Sequence, residues 1–360
     1  MIKLQEYKLI HILKRLNLGL ITSFLLIACS TSKSNQIPID SARNSEECQT
    51  IDHELGKTEI CSQPQRIIVL GTNILELLLA LEVEPIGYAD YFSLPYSKFD
   101  KPKQQIPYIG ERVTNKPVNV GTWSEPSLEA IVKLKPDLIL GNVTANEDEY
   151  ALLSQIAPTV LLKSRTIYNE WQQDLQKIAQ ILRRSPKAQK VIASNKQLLA
   201  ATKKQLLPIT RNYPQVLLLG SENLNQSVQL EGKNSFCGSL LETIGFQLVS
   251  LRELEKKPLS VRLISLETLP SLDKADLIIV GAWNRDFSNV ENDLVEHQLG
   301  QVRKQWKENP IAQSMSASKQ GRVYFTSSYL CRGLPGPIGT KIFLKQLRQK
   351  LLSQNKNNDK

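Results

Sequence analysis

The chain has 360 residues, 41% of them hydrophobic, and a formal net charge of +10. That length favours two domains, each able to bury its own core. A basic balance suits nucleic acid, anionic lipid or an anionic ligand, but Lys and Arg are spread along the chain and the densest run, Lys350 to Lys360, is a polar tail.

At the N-terminus Lys3, Lys8, Lys14 and Arg15 stand against a single acid, Glu6, and an apolar stretch runs from Leu16 to Ala28. A basic segment followed by a short apolar one is the pattern of an export signal. The apolar part is shorter than the ~20 residues that span a bilayer. It ends in Leu26-Ile27-Ala28-Cys29, which resembles the bacterial lipobox. Small Ala28 suits a tight peptidase pocket, and the Cys29 thiol is the group that accepts lipid. The alternative is an ordinary signal with an incidental cysteine. Residues 29–47 are polar and read as a flexible tether. Without residues 1–28 the chain has 332 residues and a net charge of +7. Export places the protein on a periplasmic or other extracytoplasmic face, anchored through Cys29, and argues against a nucleic-acid partner.

Four cysteines remain after Cys29, an even number that suggests two disulfides in an exported protein. Cys48 and Cys61 flank a hairpin with its turn near Glu54-Leu55-Gly56, and a bond between them would staple it. Cys237 with Cys331 is the remaining pairing, and two free buried thiols are its alternative.

The next segment alternates strands and helices. Arg66 to Leu70 is a strand; Gly71-Thr72 turns; Asn73 and Glu76 have capping-box spacing ahead of a helix bearing Leu75, Leu78, Leu79 and Ala80. Pro85 to Tyr88 and Ile106 to Ile109 read as extended, Ser127 to Leu134 as a helix, and Asp137 to Leu140 as a strand stopping at Gly141. Asn146 to Ile156 is helical and Thr159 to Leu162 extended. This alternation predicts a parallel sheet covered on both faces.

The middle is helical. Trp171, Leu175, Ile178, Ile181 and Leu182 recur at helical spacing. Ser185-Pro186 is a strong start for a second, long helix that Pro208 is expected to end. The last segment is α/β again, with strands over Gln215 to Leu219, Asp276 to Val280 and Gly321 to Phe325, and helices over Phe236 to Ile244 and Gly339 to Leu352; Ser265 is placed to cap a short helix carrying Glu267. A weak repeat links the halves: Leu128-Glu129 precedes Asp137-Leu138-Ile139, and Leu266-Glu267 precedes Asp276-Leu277-Ile278.

The expected fold is α/β: two lobes, each a central, mainly parallel sheet flanked by helices, joined by one long rigid helix. The expected organisation is a signal at 1–28, a tether at 29–47, an N-terminal lobe at 48–166, a helical linker at 167–208, a C-terminal lobe at 209–353 and a polar tail at 354–360. In sheets of this kind ligands bind beyond the carboxyl ends of the strands. That rule selects Thr72, Asn73, Tyr91, Arg112, Trp123 and Asn142 in the first lobe. In the second it selects Ser221, Trp283, Asn284, Arg285, Tyr329 and Arg332. Aromatic rings give flat walls, and arginine is an always-charged, bidentate partner for anionic oxygens. Trp306, ahead of Asn309-Pro310, reads as core.

Several short segments together resemble the bacterial solute-binding family that serves ferric siderophores, haem and cobalamin. They are Pro64 to Leu70, Leu77 to Leu81 with Val83 to Gly87, Glu125 to Ile131 with Leu134 to Ile139, and Gly321 to Tyr324. The likeness covers residues 50 to 350 or so and rests on their order and spacing. The resemblance implies a monomeric binding protein of an ABC importer with a ferric siderophore in the inter-lobe cleft. It also implies one glutamate per lobe docking on permease arginines, at Glu129 and Glu267. Some hydroxamate-binding relatives carry arginine where this chain has Trp123, so that contact is either lost or supplied elsewhere, with Arg112 a candidate. Haem or cobalamin is the alternative ligand, with Tyr91 or Tyr329 as an axial group for haem.

A zinc or manganese site would need several histidines or carboxylates on the cleft, and after residue 28 only His53, in the hairpin, and His297, in a polar helix, remain. No resident cofactor or directly bound metal is expected. The chain lacks Gly-x-Ser-x-Gly, His-Glu-x-x-His, Cys-x-x-Cys, Gly-x-Gly-x-x-Gly and P-loop motifs. Asp90, Glu111 and Glu125 are candidates to sit near the cleft, where lone acids are ordinary. An enzyme built on this fold is the remaining alternative.

Overall fold

The structure is a computed structural model; it describes residues 48–163, 167–168, 170–251, 260–284 and 294–358. Cys29, the signal and tether segments and Arg285 lie outside the described residues. Among the described residues no helix is long and apolar enough to cross a membrane.

The described chain opens with an antiparallel hairpin, β1 (Gln49–His53) and β2 (Gly56–Ile60). A disulfide joins Cys48 to Cys61 across its open end. Thr58 anchors the hairpin by donating its hydroxyl to the Thr159 carbonyl at 2.7 Å.

The first lobe holds β3 (Ile67–Leu70), α1 (Thr72–Ala80), β4 (Gly87–Asp90), α2 (Pro102–Gln105), β5 (Val118–Thr122), α3 (Leu128–Leu134), β6 (Leu138–Asn142), α4 (Val143–Asn146), α5 (Tyr150–Ile156) and β7 (Thr159–Leu162). Its strands lie in the order β5-β4-β3-β6-β7 and every pairing is parallel. Ile68, Val69, Leu70, Leu138, Ile139 and Leu140 are buried, as central strands covered on both faces must be. Ile106 to Ile109 is not a strand. Ile106 follows α2 and Ile109 precedes a 3-10 turn, Gly110–Arg112, and both side chains are buried as plugs rather than paired in a sheet.

Two helices join the lobes: α6 (Trp171–Ile181) and α7 (Ser185–Asn212). At 1.5 Å per residue α7 is ~42 Å long. It runs through Pro208 rather than ending there. Proline removes one helical hydrogen bond, but Leu206 and Ile209 on either side are buried, so packing holds the helix together across the gap.

The second lobe contains β8 (Gln215–Ser221), β9 (Val228–Glu231), α8 (Phe236–Thr243), β10 (Gln247–Leu248), β11 (Val261–Ile264), a 3-10 turn at Leu266–Leu272, β12 (Leu277–Ala282), α9 (Leu294–Glu308), α10 (Pro310–Ser314), α11 (Ser316–Lys319), β13 (Val323–Ser327), α12 (Tyr329–Arg332) and α13 (Pro337–Asn358). The sheet order is β11-β9-β8-β12-β13, with β10 also on β8. β8, β10, β12 and β13 pair in parallel, while β9 and β11 add an antiparallel edge. The closing helix extends to Asn358, past Leu352. A disulfide joins Cys237 on α8 to Cys331 on α12. Trp306 is 2% exposed, in the core.

The weak sequence repeat has a structural meaning. The Asp137 carboxylate accepts from the Gln65 and Arg66 amides at 2.7 and 2.8 Å, pinning the start of β3 beside β6. The Asp276 carboxylate accepts from the Gln215 amide at 2.9 Å, pinning the start of β8 beside β12.

Candidate functional site

The carboxyl ends of the two sheets meet. Tyr329, just after β13, donates its hydroxyl toward Thr72 Oγ1 at 3.2 Å and Asp90 Oδ2 at 3.4 Å, at the ends of β3 and β4. Tyr88 also donates to Asp90, and the Tyr88 and Thr72 hydroxyls are 2.8 Å apart. Phe92 and Tyr108 stack on the Tyr329 ring at 6.2 and 6.1 Å. Burial pushes the Asp90 carboxyl above its ordinary range, against the pull of the Tyr88 hydroxyl and nearby amides.

A second tie crosses between the lobes nearby. Glu76 on α1 is fully buried, and its Oε1 accepts from the Gly339 amide at the start of α13 at 2.6 Å. A Cβ at Gly336 would come within 2.6 Å of the same carboxylate, so a side chain there would push Glu76 out of this contact. Burial pushes Glu76 up to about 8, while the amides of Gly339, Ile338 and Gly336 pull it down. The capping-box expectation for Asn73 and Glu76 fails here. Gly71, at φ 126, is the N-cap of α1 with no side-chain capping bond, which frees both side chains for other work.

On the first-lobe side, Asn73 and Asn142 exchange amide hydrogen bonds at 3.1 and 3.2 Å. Asn146 receives the Asn142 backbone amide at 3.0 Å and donates to the Trp123 carbonyl at 2.7 Å. The Trp123 amide donates to the Asp90 carbonyl at 2.8 Å. This chain of bonds holds the Trp123 loop against the sheet end, where its ring meets Tyr91 with centroids 4.4 Å apart. Burial pushes the Tyr91 phenol up to about 12, while the Arg332 guanidinium across the cleft pulls it down.

The second-lobe side is built around Arg332. Its Nη2 donates to Gln229 and to Glu231 Oε1, the latter at 3.1 Å. Its guanidinium lies 4.8 Å from the Trp283 ring centroid, a cation–π distance. Gly220 makes room, since a Cβ there would meet Glu231, Gln229 and Arg332 at 3.3 to 3.5 Å. The Asn284 backbone is clasped by Gln298, which accepts from its amide and donates to its carbonyl, both at 2.9 Å.

The structure therefore sorts the residues read from the sequence. Tyr91, Trp123, Asn73, Trp283, Asn284 and Arg332 are partly exposed around the meeting sheet ends. Thr72, Asn142, Ser221 and Tyr329 are buried instead of offering open surface. Their polar atoms bond within the protein, Ser221 to the Ser227 carbonyl at 3.0 Å, because they sit where strand ends pack rather than where loops open. Arg112 lines a separate groove with α1, α7 and α13, and is not brought to the Trp123 pair. Sequence reading gave Tyr88, Gln229 and Glu231 no role at the site, took Glu76 for a helix cap and treated Asp90 as ordinary. The available signal for Glu76 was an acid inside an otherwise apolar helix face, Ile74 to Ala80.

Glu129 and Glu267 are both exposed. The Lys133 ammonium at 2.6 Å holds the Glu129 carboxyl below its usual range, and hydrogen bonds from its own amide and Ser265 do so for Glu267. Among the described residues the one group of Cys, His, Asp and Glu close enough to share a metal is Cys48, Glu59 and Cys61, and both cysteines are spent in the disulfide.

Residues 67–330 match a family described as periplasmic binding protein. The Fe(3+)-citrate-binding protein YfmC of Bacillus subtilis is 30% identical over 310 residues, covering 84% of this chain and 87% of that one. The Fe(3+) dicitrate-binding periplasmic protein FecB of Escherichia coli is 30% identical over 276 residues, covering 76% and 80%. Among solved structures, Staphylococcus aureus SirA complexed with staphyloferrin B superposes with a TM-score of 0.66 at 22% identity, covering 84% of this chain and 98% of that one, a likeness of fold.

Proposed function

The chain belongs to the periplasmic binding protein family, and on that premise we propose that it captures a ferric siderophore between its lobes and delivers it to an ABC permease. It is a binding protein rather than an enzyme, and it works outside the cytoplasm. The observation that carries the ligand class is Arg332. It is held by Gln229 and Glu231 over Trp283 and faces Tyr91 beside Trp123. A fixed guanidinium among flat aromatic faces suits a bulky chelate with anionic oxygens. The relatives named for ferric citrate support the same class. Iron arrives already wrapped by its chelator, so the protein needs no metal ligands of its own.

Tyr91, Trp123, Asn73, Trp283, Asn284 and Arg332 contact the chelate in this reading. The buried Thr72, Asn142, Ser221 and Tyr329 set the lobe geometry behind them. Glu129 and Glu267, exposed and anionic, dock the two lobes on the permease, where a pair of separated charges reads lobe position. Cys29 carries the lipid anchor, and the protein acts as a monomer.

Purified protein titrated with ferric hydroxamate, citrate-type and catecholate chelates should lose tryptophan fluorescence with at least one class. Silence with all three would overturn the ligand assignment. Changing Glu129 and Glu267 together to alanine should abolish uptake by cells and leave chelate affinity intact; parallel loss of both would make these glutamates structural.

A further inference from the structure

We propose that the groove between α1, α7 and α13 is a second binding site, for a multivalent oxyanion of the phosphate class. The groove has a volume of about 420 Å³, within the range of small-molecule sites. It does not depend on the ferric siderophore reading, and its position separates it from the cleft. α1 starts at the cleft with Thr72, whereas the groove is lined by Leu79 and Ala80 at the other end of that helix, ~10 Å along it.

Its charge is one-sided. Arg112, Lys187, Lys190 and Lys341 line it, with Glu82 as the one acid among its lining residues. Glu82 is already committed to Lys187. Arg112, Lys190 and Lys341 have no ion-pair partner among the described residues. Glu76 feels Arg112 but is engaged with the loop that starts α13. Lys187 and Lys190 stand three residues apart on one face of α7, a spacing at which like charges repel. Glu82 offsets the Lys187 charge only, so Lys190 is left for an anion to neutralise.

The second observation is Asn195. It lines the groove and is 5% exposed. Its Oδ1 accepts the Tyr168 hydroxyl. Its donor nitrogen Nδ2 has no hydrogen-bond partner among the described residues. An open amide donor on a groove wall that also carries several cations is what an oxygen-rich anion needs. Leu79, Val191, Leu198 and Ile338 form the apolar part of the wall, which lowers the local dielectric and strengthens each charge.

The same chemistry is offered by free phosphate and by an anionic phospholipid headgroup. Full-length protein in detergent should be titrated calorimetrically at low ionic strength with inorganic phosphate and, separately, with short-chain phosphatidylglycerol. Saturable binding of the first alone assigns a soluble anion, and of the second a headgroup. In either case K190Q/K341Q should weaken it about tenfold, and N195L severalfold. Both lysines are exposed, so the double variant keeps its fold, and an unchanged thermal transition verifies this. Absence of saturable heat with both probes, or wild-type affinity in K190Q/K341Q, overturns the proposal.

Discussion

The two lobes share a framework and differ in what they hang on it. Each uses an aspartate at the start of an Asp-Leu-Ile strand to hold the neighbouring strand in register, Asp137 for β3 and Asp276 for β8. Each brings its strand ends to the same meeting place. The first lobe presents an aromatic pair steadied by a relay of asparagines, and its sheet is wholly parallel. The second adds an antiparallel edge, and β9 of that edge supplies Gln229 and Glu231, the two groups that hold Arg332. The first lobe thus contributes an aromatic pair alone, and the second a fixed charge over a single aromatic ring. The added strands are where the symmetry breaks and where the cation is fixed.

The largest test of the comparison is covalent. The Cys237–Cys331 bond closes a separation of 94 residues within the second lobe, and Cys48–Cys61 one of 13 outside the first sheet. Removing the first pair as C237A/C331A should lower unfolding free energy by about 4–5 kcal/mol, against about 3 kcal/mol for C48A/C61A. Denaturant titration of the two variants checks the order.

The contact between lobes should depend on pH through Glu76. Its carboxyl is raised by burial to about 8, so the folded state holds a proton that the unfolded chain gives up near 4.5. The stabilisation is fully present below pH 4.5 and is lost as pH rises toward 8, a change of a few kcal/mol. Glu76→Gln should flatten that part of the stability–pH curve, measured by denaturant melts across the window.

At the site itself, Arg332→Gln should cut chelate affinity roughly 100-fold, since a charged partner is lost and Glu231 is left buried without its cation. Trp123→Ala, which removes shape rather than charge, should cost about tenfold. Fluorescence titrations distinguish them, and equal losses would break the division of labour between the lobes. The smallest effects fall on the framework. Asp137→Asn should cost about 1–2 kcal/mol and Asp276→Asn about 1 kcal/mol, following the two amides held by the first and the one held by the second.

The framework was legible because its signals are local. Asp-Leu-Ile strands, Ser185-Pro186 in the first turn of α7 and the Cys48–Cys61 hairpin each declare themselves within a few residues. The charged edge was not. β9 reads Val-Gln-Leu-Glu, a run too short and polar to announce a strand, and it is one only because β8 and β11 flank it. Glu76 and Asp90 were opaque for a related reason: their partners lie 263 and 239 residues away. Ile106 and Ile109 misled because two buried side chains in a short apolar run look alike in a strand and in a plug between turns.

Cys331 stands between Tyr329 and Arg332 on the four-residue α12, so its bond to Cys237 also anchors the turn that carries the site's cation. Thiols stay reduced in an ordinary cytosol and pair after export. A chain whose thiols are still reduced holds that turn by packing and hydrogen bonds alone, whereas a chain with the bond formed also holds it covalently to α8.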